Sequence, residues 1–243
     1  MFPPVLLIHD APGSGWALEP IARILAKALY VILPDLPGNG ESDAPPSEIP
    51  ILEASKNAIL TIADALHLAS FSVAAVGCGA AVASALANTL DPRLEHLILE
   101  GIPQLDPRVS ANIAPELELS DDGSHWVRAW LIVRDGEIWS PWFDGRIGTQ
   151  RPAQGRFDAD WLHRQTFEII KARKSYFRLP RAAFAHNSFS GLQKMGSAVR
   201  LATRGTHPLH SNDTAVLAAC PEATAHDCEF TELILKTVRG VTN

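Results

Sequence analysis

Apolar residues in this chain fall into short continuous runs, separated by polar stretches that are rich in glycine and proline. Four such runs cover residues 5–8, 30–33, 71–76 and 94–99, and runs of this length are typical of parallel strands buried on both faces. Between them, residues 18–29 and 51–66 carry apolar side chains at helical spacing. The alternation predicts an α/β fold with an open, doubly wound, mostly parallel sheet of about six strands.

The stretch FSVAAVGCGAAVASALA, residues 71–87, is the most informative part of the chain. A β-branched run leads through a cluster of small residues into an alanine-rich helical segment. Small residues are needed where a strand turns so sharply into a helix that the two backbones nearly touch. The pattern therefore predicts a tight strand–helix turn around Gly77, Cys78 and Gly79.

Residues 104–190 interrupt the alternation and predict an inserted helical cap over a core formed by residues 1–103 and 191–243. Two segments of the insertion, 125–139 and 159–177, have apolar residues at near-helical spacing. A stripe of aromatic residues on such helices either attaches the cap to the core or lines a pocket for an apolar ligand. The candidate ligand-binding residues are the four tryptophans Trp126, Trp130, Trp139 and Trp142.

Composition narrows the range of partners. The net charge is −6 and no run of lysines and arginines occurs, so we expect no binding to nucleic acid or to a membrane. The three cysteines cannot all pair with one another, which favours a reducing, cytoplasmic location. We expect a small apolar or aromatic ligand, with no cofactor and no metal; the oligomeric state stays open.

Three motifs in order resemble the α/β-hydrolase family. PPVLLIHDAPGSGW is similar to its first motif strand and oxyanion loop, and VILPDLPGNGESD to the next strand and loop. The turn at residues 71–87 resembles its nucleophile elbow, G-x-S-x-G, and LILEGIP its following strand. The resemblance covers residues 3–103 and implies a hydrolase of a small ester or lactone, with His9, Asp10 and Ala11 in the oxyanion loop. Asp10 departs from the family, which has glycine there, and a carboxylate would oppose the anion that this loop stabilises.

The register of the elbow decides which residue stands where the family has serine. When the family's elbow pattern is aligned to this sequence without gaps from Leu68, Gly77 falls at the vertex, and Ala75 and Gly79 fall at the small flanking positions. A shift by one residue places Cys78 there, and a shift by two places Gly79. We favour Gly77, because Val76 fits poorly beside a Cys78 vertex. In that register Gly77→Ser is expected to restore weak esterase activity if the base survives.

The acid and the base of a triad would have to come from residues that depart from the family's motifs. Glu100 matches a second acid position known in the family, at the end of the strand 94–99, although it also fits a solvated strand end. His207 stands where the family often has its acid, and Asp213 follows without a motif. His226 is the candidate base, although it falls within the predicted last strand rather than beyond it.

Three functions remain open from these residues. The first is a hydrolase with an atypical triad, in which Cys78 serves as nucleophile or only supplies a backbone N–H. The second is a lyase or isomerase that needs no serine. The third is a ligand-binding pseudoenzyme, because a serine, a base and an acid act as a unit and lose most of their rate together.

Overall fold

A computed structural model describes residues 3–146, 149–151, 158–205 and 207–240. Six strands form one sheet in the order β2-β1-β3-β4-β5-β6, and every pairing is parallel. The strands are β1 (Val5–Ile8), β2 (Val31–Ile32), β3 (Phe71–Val76), β4 (Leu94–Glu100), β5 (Val199–Ala202) and β6 (Thr224–His226). The predicted fold class is confirmed.

Ten α-helices lie among the described residues and connect or cover these strands. They are α1 (Glu19–Leu25), α2 (Ile51–Ala65), α3 (Cys78–Ala87), α4 (Pro107–Asn112), α5 (Ser124–Gly136), α6 (Ala159–Lys171), α7 (Arg178–Ala185), α8 (Phe189–Met195), α9 (Asp213–Ala219) and α10 (Phe230–Arg239). Helix α2 follows its predicted range to within one residue. Helix α6 ends at Lys171, six residues before the predicted end, and Tyr176 beyond it is buried.

The core strands are apolar because helices cover both faces of the sheet. Helices α2, α3 and α7 pack on one face, and α1 and α10 cover the other. All ten residues of α3 are buried. A Cβ added at Gly79 would lie 2.7 Å from the carbonyl oxygen of His9, so only glycine lets α3 cross β1 this closely.

Helices α4 to α7 occupy the segment between β4 and β5 that the sequence predicts as the cap. A separate apolar cluster joins the residues around α5 and α6 and includes Ala129, Leu162 and Tyr176. Leu179 and Ala183 of α7 belong instead to the cluster of the sheet. The division at 104 and 190 stays a prediction, and residues 147–148 and 152–157 of the segment lie outside the described residues.

Candidate active site

A cavity of about 620 Å³ opens at the carboxyl ends of the strands. Its floor contains Asp10 from the loop after β1, Cys78 at the start of α3, Glu100 at the end of β4 and His207 from the loop after β5. Its walls come from the segment that follows β4, from helices α5 and α6 and the loop between them, and include Ile132, Trp139, Trp142, Trp161 and Ile169. In parallel sheets, ligands bind at this edge, so the cavity is the candidate active site.

Gly77 is the residue at the turn between β3 and α3. Its backbone has φ 56° and ψ −124°, and Cys78 begins the helix. The prediction that Gly77 lies at the vertex with a positive φ is therefore confirmed. A glycine at this turn carries no side chain that could act as a nucleophile.

Asp10 fills the space above this turn. Its Oδ1 accepts hydrogen bonds from the backbone N–H of Ala11 at 2.7 Å and of Cys78 at 2.6 Å. These are the two N–H groups with which an α/β hydrolase stabilises a substrate oxyanion. A Cβ at Gly77 would lie 2.2 Å from Cγ of Asp10. The carboxylate of Asp10 thus accepts both of these N–H groups and occupies the volume that a side chain at position 77 would need.

The second oxygen of Asp10 faces His207. Oδ2 lies 3.4 Å from Nε2 of His207, whose Nδ1 accepts the backbone N–H of Leu209 at 3.2 Å. In the neutral imidazole this arrangement puts the proton on Nε2, toward Asp10. Burial alone would raise the pKa of Asp10, but His207 and the two backbone N–H groups outweigh it and lower this pKa. Asp10 is therefore an anion at neutral pH.

Cys78 does not have the environment of an activated nucleophile. Its thiol is buried and donates to the carbonyl oxygen of Ala11 at 3.3 Å. Burial and the negative charge of Asp10 raise the pKa of this thiol well above its usual value. Cysteines are activated by a helix N-terminus or by nearby positive charge. Cys78 begins α3, but its burial and the carboxylate of Asp10 beside it outweigh that position.

His9 has a structural position in the oxyanion loop. Its ring is fully buried, Nδ1 lies 2.7 Å from the carbonyl oxygen of Asp10, and Nε2 accepts the backbone N–H of Leu36 at 2.9 Å. Burial lowers the pKa of His9, so its ring is neutral at pH 7. The ring joins the loop after β1 to the loop after β2 and so fixes the backbone that carries Asp10.

Glu100 belongs to a second charged group beside the cavity. Nδ1 of His210 lies 2.9 Å from Asp213, and its Nε2 lies 3.4 Å from Glu100. These two carboxylates raise the pKa of His210 to about 9. His210 is therefore a cation at neutral pH and holds the loop after β5 against the end of β4.

The structure does not bring His226 to the cavity. It ends the edge strand β6, and its Nε2 lies 3.0 Å from the hydroxyl of Thr224. The short strand leaves no loop that could carry the ring across β5 to Asp10. The histidines at the site are His207 and His210, both from the loop after β5.

Two of the four predicted tryptophans line the cavity and two do not. Trp139 and Trp142 are in its wall. Trp126 and Trp130 are 46% and 36% exposed, because α5 buries its other face through His125, Ala129, Ile132 and Val133. The helical spacing of the tryptophans predicts that they share one face of a helix, but it does not predict which face of that helix packs against the core.

Sequence reasoning missed Trp161 and Gln165 of α6 in the wall, and it placed His207 where an acid was expected. The doublet of histidines in HPLH, residues 207–210, was the available signal for the polar floor. Trp161 stacks on Trp16 with ring centroids 5.3 Å apart. Among the described residues, no helix is long and apolar enough to cross a membrane.

Comparison with known proteins identifies the family and the same fold. The profile of the alpha/beta hydrolase family matches residues 5–233, whereas a search of curated proteins finds no match. The fold is similar to a bromoperoxidase from Bacillus anthracis, with a TM-score of 0.70, 17% identity, and coverage of 98% of this chain and 92% of that one.

Two further solved structures show the same fold. A thermophilic esterase from Thermogutta terrifontis has a TM-score of 0.66 and 18% identity, and the match covers 99% of this chain and 91% of that one. Epoxide hydrolase VrEH1 from Vigna radiata has a TM-score of 0.60 and 14% identity, with 99% and 90% covered. At these identities the likeness concerns the fold alone. Since the family profile spans nearly the whole sequence, this chain belongs to the α/β-hydrolase family.

Proposed function

We propose that this chain is a ligand-binding member of its family, which takes a small apolar or aromatic molecule into the cavity without acyl transfer. The observation that carries the proposal is Oδ1 of Asp10, which accepts both backbone N–H groups of the oxyanion site. A tetrahedral intermediate needs those two donors for its own oxygen. A substrate carbonyl would meet an anion there instead.

The other parts of the site support the same proposal. Gly77 has no side chain, and the raised pKa of Cys78 keeps its thiol protonated. The cavity is large enough for a ligand of drug size, and pockets of this kind are lined mostly by apolar and aromatic groups. Trp139, Trp142 and Trp161 supply such a surface.

The test separates binding from chemistry. Titration with 2-naphthol should quench tryptophan emission, and Trp142→Phe should reduce the quenching more than Trp126→Phe, because only Trp142 lines the cavity. The same protein should show no burst with p-nitrophenyl acetate and no labelling by a fluorophosphonate. Covalent labelling at a residue of the cavity, or no binding of 2-naphthol, would overturn the proposal. The first result would favour the competing proposal, hydrolysis of an ester or lactone by an atypical triad.

Proton transfer is a second candidate, favoured by the 3.4 Å approach of His207 to Asp10 at the cavity floor. A histidine and a carboxylate within reach of one substrate carbon can exchange its proton without a nucleophile. The measurement is NMR detection of α-proton exchange in 1-phenylpropan-2-one dissolved in D₂O. Exchange catalysed by the wild type and lost in His207→Gln would support this activity, and exchange no faster than in buffer would exclude it for this ketone.

A further inference from the structure

The carboxylate of Asp10 is partly exposed in the cavity. Oδ1 accepts the backbone N–H groups of Ala11 and Cys78, Oδ2 faces His207 at 3.4 Å, and the thiol of Cys78 also lies against this carboxylate. The side chain of Asp10 is 45% exposed and lines the cavity. The exposed part of this carboxylate is therefore open to a bound molecule.

A second acceptor in the cavity lacks a donor. Nε2 of Gln165 donates to the carbonyl oxygen of Pro12, which fixes the orientation of the amide. Its Oε1 is buried and has no hydrogen-bond partner among the described residues. Gln165 lines the same cavity and lies beside Gly13, three residues after Asp10. A buried acceptor without a partner is costly, so a donor on the ligand would remove this cost.

Charge and aromatic surface point to the same chemistry. Asp10 is an anion, and the cations nearby have carboxylate partners. His210 lies between Glu100 and Asp213, and Arg151 of the cavity wall lies 3.6 Å from Glu137. Three tryptophans, Trp139, Trp142 and Trp161, form part of the wall. Cations are attracted to the faces of aromatic rings, and tryptophan is the best of these.

We infer that the ligand of this cavity is an organic ammonium ion, an amine with an apolar or aromatic body, whose N–H groups bind Oδ2 of Asp10. The inference rests on the proposed function, since it names the chemical class of the ligand that the cavity takes. The carboxylate that blocks acyl transfer is then the group that recognises the ligand. The backbone N–H groups of Ala11 and Cys78 hold this carboxylate in place, so little conformational entropy is lost when it binds the ligand.

The experiment compares three probes that share one skeleton and differ in charge. Isothermal titration calorimetry is done with 3-phenylpropylamine, 3-phenylpropan-1-ol and 3-phenylpropanoate. We expect the amine to bind at least tenfold more tightly than the alcohol, and the carboxylate to bind most weakly, because Asp10 repels it. Asp10→Asn keeps an oxygen for the two backbone N–H groups but removes the charge. It should bring the affinity for the amine to within about twofold of the affinity for the alcohol.

Asp64→Asn is the matched control. Asp64 is 67% exposed, pairs with Arg93 and is not among the residues that line the cavity. This variant changes the net charge of the protein equally, so it should keep the preference for the amine. Equal binding of amine and alcohol by the wild type, or a preference that survives Asp10→Asn, would refute the inference. If the inference is refuted but the alcohol still binds, the proposed ligand-binding function stands. If none of the three probes binds, the inference and the proposed function both fail.

Discussion

The close contact between Gly77 and Asp10 predicts a specific energetic coupling. An alanine at position 77 would have to adopt φ 56° and ψ −124°, and strain of this kind costs about 1–3 kcal/mol. Its Cβ would also lie 2.2 Å from Cγ of Asp10, far inside the contact distance of about 3.5–4.0 Å. Asp10 would have to move and release the N–H groups of Ala11 and Cys78.

The destabilisation expected for Gly77→Ala has two contributions, the backbone strain and the loss of the hydrogen bonds of Asp10. Hydrogen bonds to a charged group contribute about 1.5–3 kcal/mol each, but water in the cavity would replace much of that loss. We therefore expect Gly77→Ala to lower the free energy of unfolding by about 3–5 kcal/mol in total. In an Asp10→Ala background the clash is absent, and the same substitution should cost only the backbone strain, about 1–3 kcal/mol.

The assay is a double-mutant cycle measured by urea unfolding at pH 7. The wild type, the two single variants and the double variant are compared at equal protein concentration, and the coupling free energy is the quantity of interest. Independent sites add to within about 0.3–0.5 kcal/mol. If Gly77→Ala costs the same in both backgrounds to within that margin, Asp10 does not occupy the space above the turn and the reasoning is refuted.

Three further predictions concern other groups of the site. His210 has a raised pKa of about 9 in the folded protein against an ordinary value of 6.5. Its contribution to the free energy of unfolding is therefore complete below about pH 6.5 and is lost as the pH rises through about 9. In urea unfolding, the His210→Gln variant should not show this loss of stability at alkaline pH. Cys78 should react with iodoacetamide at pH 8 far more slowly than in the urea-unfolded chain, as followed by mass spectrometry; equal rates would contradict its burial and raised pKa. Trp142→Ala should weaken binding of 3-phenylpropan-1-ol by calorimetry, whereas Trp126→Ala should leave it within twofold, and equal losses would show that the ligand binds elsewhere.

The fold could be predicted from local patterns because each pattern has one physical cause. The continuous apolar run of β1 requires burial on both faces, and the glycines of the turn at residues 77–79 require close backbone contact. These requirements depend on a few neighbouring residues. The parallel sheet and the position of Gly77 followed from them without knowledge of distant contacts.

The site was harder to predict because it depends on contacts between residues far apart in the chain. Asp10 and Cys78 are 68 residues apart, and Asp10 and His207 are 197 apart. The sequence shows that Asp10 replaces a glycine, but not that its carboxylate reaches back to the oxyanion donors. The sequence predicted His226 at the site, but His207 lies there. Which histidine reaches the cavity depends on where β6 ends, and no local pattern encodes that.

The contact between Gly77 and Asp10 also limits how ester hydrolysis through a serine at position 77 could arise in this chain by mutation. A serine at position 77 alone would clash with the carboxylate of Asp10, so Gly77→Ser alone is no longer expected to give the weak esterase activity that the sequence suggested. The loss of Asp10 alone would open the oxyanion site, but Gly77 would still offer no nucleophile. Neither order gives selection for hydrolysis a gain at the first step. Under the proposed function, mutations in this chain are therefore expected to change which ligands it binds before they produce hydrolysis.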